Sequence, residues 1–428
     1  MKIFFLLFLL KLILCEELYQ NCSFVHPPSG KDPIALYPIK MNESFLIMEL
    51  DPSTDAKCLD GTNFKFNYSL GSGKGKNKFM IEFLGGAFCG MDDGNEFLAS
   101  CLDRSEIYLG TSKFLGPNGS ELIIDYPLGY FSNIKMYNPK FYNWNKLGIN
   151  YCDGSNHQGF VREPYDMNGT KLWFRGYNNT MGVFEWARKH LGLFDAEEII
   201  IAGESAGGQA IYFWSTYFQD YFPKKIKLRA IAEAGFFLDA YNIYQRCNLF
   251  RYFIKESAYY SRSNETDLFR KCSYRGSNED WKCLIPQYVA KDIEIPMFII
   301  NSQNDYESLR SQMAIVCVAN GSETCSEHDK AIIRSYRMEF LNRMLEIKKE
   351  KKNWGFWLRS CIEHIYWKNW AWYTDEMLVL NAETNKLGAL KDTLHRWYDG
   401  ETSESHSFID LDEWESHCPG NYFENKIN

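Results

Sequence analysis

At 428 residues, 45% of them apolar and 16% aromatic, the chain has the material for a large buried core and is not disordered. A formal charge of −8 at pH 7 supplies no basic stripe for a phosphate backbone, which argues against nucleic acid as a partner. Length alone permits one large domain or several smaller ones.

The chain begins with Lys2, an apolar run over 3–10, an interruption at Lys11 and a second apolar run ending at Cys15. This is too short to span a bilayer and predicts a signal peptide over residues 1–15, cleaved near Cys15. The residues before Cys15 are too bulky for a bacterial lipoprotein site. No second stretch of membrane-spanning length follows, and the polar tail lacks the apolar run of a glycolipid anchor. Of 13 cysteines, removal of Cys15 leaves an even set, as expected of a disulfide-bonded exported protein. The short spans Cys272–Cys283 and Cys317–Cys325 suit local loops, although sequence does not fix the pairing. No CxxC pair occurs, and no metal is expected. Glycosylation sequons stand at Asn21, Asn42, Asn67, Asn118, Asn168, Asn178, Asn264 and Asn320. The expected location is extracellular or the lumen of a secretory vesicle.

Taken in order, residues 45–50 read as a first strand, and 68–77 as a turn-rich loop. A strong strand over 78–84 runs directly into Gly85-Gly86-Ala87-Phe88-Cys89. Further strands are predicted over 121–126, 147–151 and 171–175, and a helix over 180–191 that ends at Gly192. Residues 199–201 are three consecutive isoleucines, a buried strand, and a helix is expected from Gln209. Strands over 226–232 and 295–300 follow, separated by a helical and loop-rich segment, 238–290, that is a candidate cap. Residues 328–352 form an amphipathic helix with a solvated basic face, and the tail from 399 is polar without a clear period. Strands alternating with helices predict an α/β fold: a mostly parallel sheet flanked by helices, in one domain over 16–428 with cap insertions.

Between the isoleucine strand and the helix lies Gly203-Glu204-Ser205-Ala206-Gly207-Gly208, a G-x-S-x-G pattern at a strand-to-helix turn. Such a turn is sharp, and a Cβ two residues to either side of the serine would strike the adjoining elements. It lifts the serine hydroxyl off the sheet and turns the N–H of Ala206 toward the place where an oxyanion would form. Ser205 is the candidate nucleophile. A serine needs a base and a group to orient that base, and in this arrangement the order is Ser, Asp or Glu, His. The order leaves His328, His364, His395, His406 and His417 as bases. Asp305, just past the strand over 295–300, is the expected acid, with Glu307 as fallback; Asp292 lies on the wrong side of that strand. Gly85-Gly86-Ala87 is placed to give the second oxyanion donor, or is simply a tight turn that needs glycine.

These segments together resemble the pectin acetylesterases and Notum-type carboxylesterases. Gly85-Gly86-Ala87-Phe88-Cys89 is similar to their GG-x-(aromatic)-C, and Glu204-Ser205-Ala206-Gly207-Gly208 to their xSAGG elbow. The stretch 141–145 followed by 151–155 resembles FxNWN and YCDGS, 301–305 the N-x-x-x-D acid, and 360–364 the SC-x-x-H that carries the base. The resemblance runs from about residue 30 to 370. It implies a metal-free serine hydrolase of α/β-hydrolase-like fold that cleaves carboxylic esters without a cofactor. Ser205, Asp305 and His364 would be its triad, and Gly86, Ala87 and Ala206 its oxyanion donors. Three departures stand out: Glu204 where cysteine is frequent, Tyr306-Glu307 where Ser-Trp is usual, and Phe88 in place of tryptophan. Glu204 would either shift the base or face solvent. The expected substrate is an acetylated polysaccharide, with a lipidated protein as the alternative, acted on by a monomer. A catalytically silent glycan- or lipid-binding protein of the same fold is the third reading.

Overall fold

The computed structural model describes residues 45–91, 96–115, 129–242, 248–366, 370–373, 377–381 and 383–411. The predicted signal peptide, the strand expected over 121–126, the sequons at Asn21, Asn42 and Asn118, and His417 lie outside them.

The chain enters through β1 (Leu46–Glu49), β2 (Lys65–Ser69) and β3 (Lys78–Phe83), then helix α1 (Phe97–Arg104) and β4 (Asn145–Ile149). A small antiparallel hairpin, β5 (Tyr165–Met167) and β6 (Thr170–Leu172), stands apart. Helix α2 (Gly176–Leu191), β7 (Glu198–Glu204), α3 (Ala206–Tyr221) and β8 (Lys227–Glu233) follow. Then come α4 (Leu249–Ser261), β9 (Met297–Ser302), α5 (Glu327–Glu350) and β10 (Gly355–Arg359). The last elements are β11 (Leu378–Asn381), β12 (Lys386–Ala389), α6 (Leu390–Asp399) and β13 (Ser407–Ile409).

Among the described residues, eleven strands form one sheet in the order β1-β2-β4-β3-β7-β8-β9-β10-β13-β11-β12. Every pairing from β4 through to β11 is parallel, and the antiparallel pairs lie at the two edges. The isoleucine run shows why the central strands read as continuously apolar. Ile199 and Ile201 face one core, with Phe184 of α2 and Phe218 of α3. Ile200 faces the other core, with Trp357 and with Leu394 and Trp397 of α6. Both faces are covered, as parallel sheets require.

Several expectations shift. Helix α3 begins at Ala206, three residues before the predicted start, because the serine itself ends the turn. Residues 65–69, whose end was read as loop, form β2: Asn67 is buried and its Nδ2 donates to Asn150 Oδ1 at 3.0 Å. The strand expected over 171–175 shrinks to the hairpin strand β6. The polar tail contributes β13, whose three residues are all buried. Disulfides join Cys272 to Cys283 and Cys317 to Cys325, and also Cys58 to Cys152 and Cys89 to Cys101. Among the described residues no helix is long and apolar enough to cross a membrane.

Candidate active site

The site is assembled at the C-terminal ends of the parallel strands β3, β7, β9 and β10, with β8 lying between β7 and β9. Ser205 follows β7 and holds φ 53° and ψ −121°, a conformation that a side-chain-bearing residue adopts only when its surroundings impose it. The flanking glycines show what imposes it. A Cβ on Gly203 would lie 2.5 Å from the carbonyl oxygen of Gly207, and one on Gly207 would lie 2.0 Å from that of Phe83 on β3. The turn is as tight as its glycines imply. The Ser205 N–H donates to Glu233 O at 2.9 Å, which pins the elbow to β8.

Two loops bring the partners. After β9, Asp305 is 1% exposed; its Oδ1 accepts from the N–H of Ser308 at 2.9 Å. After β10, the segment 360–364 is stitched to the β9 loop: Asn304 Nδ2 donates to Ser360 O, and Ser302 Oγ donates to Cys361 O. The stitching sets His364 between the other two. His364 Nδ1 lies 2.7 Å from Asp305 Oδ2, and its Nε2 lies 2.8 Å from Ser205 Oγ. Because Asp305 accepts, Nδ1 carries the proton in the neutral ring and Nε2 is left to accept from the serine. Burial works to lower the imidazole's pKa. The charge and hydrogen bond of Asp305, helped by Glu307 and Glu204, outweigh it and carry His364 from 6.5 to about 9.

The fallback acid is not in this chain of bonds: Glu307 Oε2 accepts from Ser311 Oγ at 3.2 Å and pairs with Arg310. The other histidines lie elsewhere. His328 is exposed at the start of α5, His395 packs against Phe141 and Trp372, and His406 Nε2 is 3.1 Å from the carbonyl of Glu401. Glu204 does not face solvent. It is 5% exposed, and its Oε2 would be 3.2 Å from a Cβ on Gly85.

Gly85 and Gly86 lie against the elbow. A Cβ on Gly85 would meet the Cβ of Ser205 at 2.8 Å, and Ala87 takes φ 50°. Among the described residues, none of the N–H groups of Gly86, Ala87 and Ala206 donates a backbone hydrogen bond, so all three remain available to an oxyanion. The loop is braced by residues that motif reasoning did not assign. His157 Nε2 donates to Leu84 O at 2.8 Å, Arg104 Nη1 donates to Gly86 O at 2.7 Å, and Tyr151 packs against Gly86. Burial lowers the pKa of His157, against the opposing charge of Asp153 and the hydrogen bond to Leu84 O. Motif reasoning passed over His157, which stands just past the segment 151–155 already singled out; that proximity is the one signal that could have found it.

An aromatic series runs from the imidazole: Phe237 stacks on His364 at 6.4 Å, Phe250 lies 5.9 Å from Phe237, and Phe88 lies 6.4 Å from Phe250. Phe237 immediately precedes the segment predicted as a cap, and Phe250 lies within it. Asp239 knits that segment together, accepting from Arg251, Asn248 and Tyr288.

The pectinacetylesterase family profile matches residues 39–419. The chain belongs to this family. It is 28% identical over 323 residues to pectin acetylesterase 5 of Arabidopsis thaliana, covering 72% of this chain and 70% of that one. It is 24% identical over 339 residues to the palmitoleoyl-protein carboxylesterase NOTUM of Schmidtea mediterranea, covering 77% of this chain and 59% of that one. The crystal structure of the Wnt deacylase Notum from Drosophila superposes with a TM-score of 0.68 at 18% identity, covering 88% of this chain and all of that one. The fold is therefore α/β-hydrolase-like. The protein is a carboxylic-ester hydrolase.

Proposed function

We propose that this pectinacetylesterase-family chain is an exported serine esterase that removes acetyl groups from polysaccharide, acting through Ser205, His364 and Asp305. The observation that carries the reading is the unbroken hydrogen-bonded series Ser205–His364–Asp305 at the strained turn after β7. Ser205 Oγ attacks the acyl carbonyl as His364 Nε2 takes its proton. That proton passes to the leaving alkoxide as the C–O bond breaks. Water, deprotonated by the same nitrogen, then releases the acid and restores the serine. Asp305 holds the ring in the useful tautomer and stabilises its cation. Gly86, Ala87 and Ala206 hold the oxyanion, each donor contributing about 3 kcal/mol to the transition state. The acetyl preference is supported by the pectin acetylesterases among the relatives, up to 28% identical. Residues 1–15 direct export, and 16–428 act as one catalytic domain capped by 238–290.

A second reading, a deacylase of lipidated protein, is favoured by the aromatic series Phe237–Phe250–Phe88 beside the base. One experiment separates the two: hydrolysis of p-nitrophenyl esters from acetyl to dodecanoyl by the mature protein, with Ser205→Ala alongside. The first reading expects acetate to be best and Ser205→Ala to lose at least about 10³-fold in kcat. A best substrate of eight carbons or more selects the second. Turnover unaffected by Ser205→Ala, with the fold intact, sinks both.

A further inference from the structure

The carbonyl of Gly86 points at a buried guanidinium. Arg104, the last residue of α1, is 4% exposed, and its Nη1 donates to that oxygen at 2.7 Å. Its guanidinium carbon also lies 6.0 Å from the ring centroid of Tyr151, the ring that a Cβ on Gly86 would strike at 2.8 Å. The Tyr151 hydroxyl in turn accepts from the N–H of Asn156 at 2.9 Å, so the ring cannot yield freely. Helix α1 is itself tied to the loop through Cys89–Cys101, and the Cys89 N–H donates to Gly154 O at 3.0 Å.

A peptide unit is planar and trans, so its C=O and N–H point in opposite directions. The unit whose oxygen is held by Arg104 is the one whose nitrogen belongs to Ala87. Fixing the oxygen on one side therefore fixes the direction of the Ala87 N–H on the other, in a loop whose Gly85 lies so close to the elbow that a Cβ there would meet the Cβ of Ser205 at 2.8 Å. We propose that Arg104 is the positioning residue of the oxyanion site: it aims the Ala87 N–H and polarises the peptide that carries it. The second effect follows because a charged donor on a carbonyl strengthens the N–H of the same unit, the more so in a buried setting. Gly86 at φ 146° and Ala87 at φ 50° are conformations the chain leaves readily once nothing holds them. Two peptide units earlier, the imidazole of His157 holds Leu84 O and braces the start of the same loop. The inference rests on the assignment of Ser205 as nucleophile.

The test compares wild type, Arg104→Lys, Arg104→Met and Ser205→Ala in the full mature chain. Active sites are counted by exhaustive labelling with a fluorophosphonate, so that unfolded material is not scored. Per labelled site, Arg104→Met is expected to lose 10- to 100-fold in kcat for p-nitrophenyl acetate with KM changed less than about threefold. Its inhibition constant for an alkylboronic acid, whose tetrahedral serine adduct fills the oxyanion site, rises by the same factor. The midpoint of the pH profile does not move, since His364 is untouched. Arg104→Lys, which keeps charge and a donor, recovers part of the loss. If Arg104→Met yields no labelled sites, the lysine variant carries the test with the same two readouts. Wild-type kcat per site in the folded variants, or a loss in kcat without a matching loss of boronate affinity, overturns the proposal. Failure of Ser205→Ala to abolish turnover overturns instead the reading beneath it.

Discussion

The sharpest consequence of the site is the pH dependence of its base. His364 is raised from 6.5 to about 9, chiefly because Asp305 outweighs the opposing effect of burial. A general base works as the free imidazole, and at pH 7 only about 1% of a group with that pKa is free. The ratio kcat/KM of the wild type is therefore expected to climb about tenfold per pH unit from 7 and to level near 9. Asp305→Asn removes the largest opposing charge and leaves the burial, so the limb should move to lower pH, with Glu307 and Glu204 still acting against burial. The plateau should fall by about 10³- to 10⁴-fold because the amide no longer enforces the Nδ1–H tautomer.

Stability carries the same signature with a determinate sign. A folded-state pKa above the unfolded one means that the protonated form favours the native state. The stabilisation is whole below pH 6.5 and is lost as pH rises through about 9. The difference between 6.5 and about 9 corresponds to about 3 kcal/mol. With about 2.1 cal/mol/K of unfolding entropy per residue over 428 residues, that is a fall in Tm of about 3–4 °C. Calorimetric melts of wild type and Asp305→Asn from pH 6 to 10 isolate the effect, since every other titrating group is shared. A flat wild-type rate profile between pH 7 and 9, or parallel Tm curves for the two proteins, would refute the role given to this pair. Full activity in Asp305→Asn with loss in Glu307→Gln would move the acid to Glu307.

The three residues that the structure brings together were legible only in part: the elbow and the strand pattern pointed to Ser205 and Asp305, whereas chain order left five histidines open and only the resemblance singled out His364. The positions of Asp305 and His364 relative to one another depend on hydrogen bonds between two loops, yet the order of the strands already brought those loops to adjacent strand ends. Arg104 and His157 were not legible, because each acts on a backbone carbonyl, and a carbonyl leaves no mark in the sequence. β2 escaped for a similar reason: the loop reading of 68–77 hid its end, and the buried Asn67 finds its partner only in Asn150, 83 residues later. Cys58–Cys152, at a separation of 94, is equally a product of the fold, whereas Cys272–Cys283 and Cys317–Cys325 could be suspected from proximity alone.

Three further expectations test the packing around the site. Gly207→Ala would drive a Cβ to 2.0 Å from the carbonyl of Phe83, and should cost about 3 kcal/mol or more in denaturant unfolding; a neutral substitution would contradict the tight elbow. Asn67, 4% exposed and bonded to Asn150, should carry no glycan although it stands in a sequon, whereas exposed Asn168 in the β5–β6 turn is open to modification; peptide mapping of the secreted protein decides. Phe237 bears on acyl size. Its ring stacks on His364 and, being 6% exposed, fills the space beside the base. Phe237→Ala vacates that space at a cost of about 3–5 kcal/mol in stability. Each added methylene that the new space accepts is worth about 1 kcal/mol or more in kcat/KM, so the octanoate-to-acetate ratio should rise at least tenfold. An unchanged ratio in a folded Phe237→Ala would place the acyl chain elsewhere and leave the aromatic series with a purely structural part.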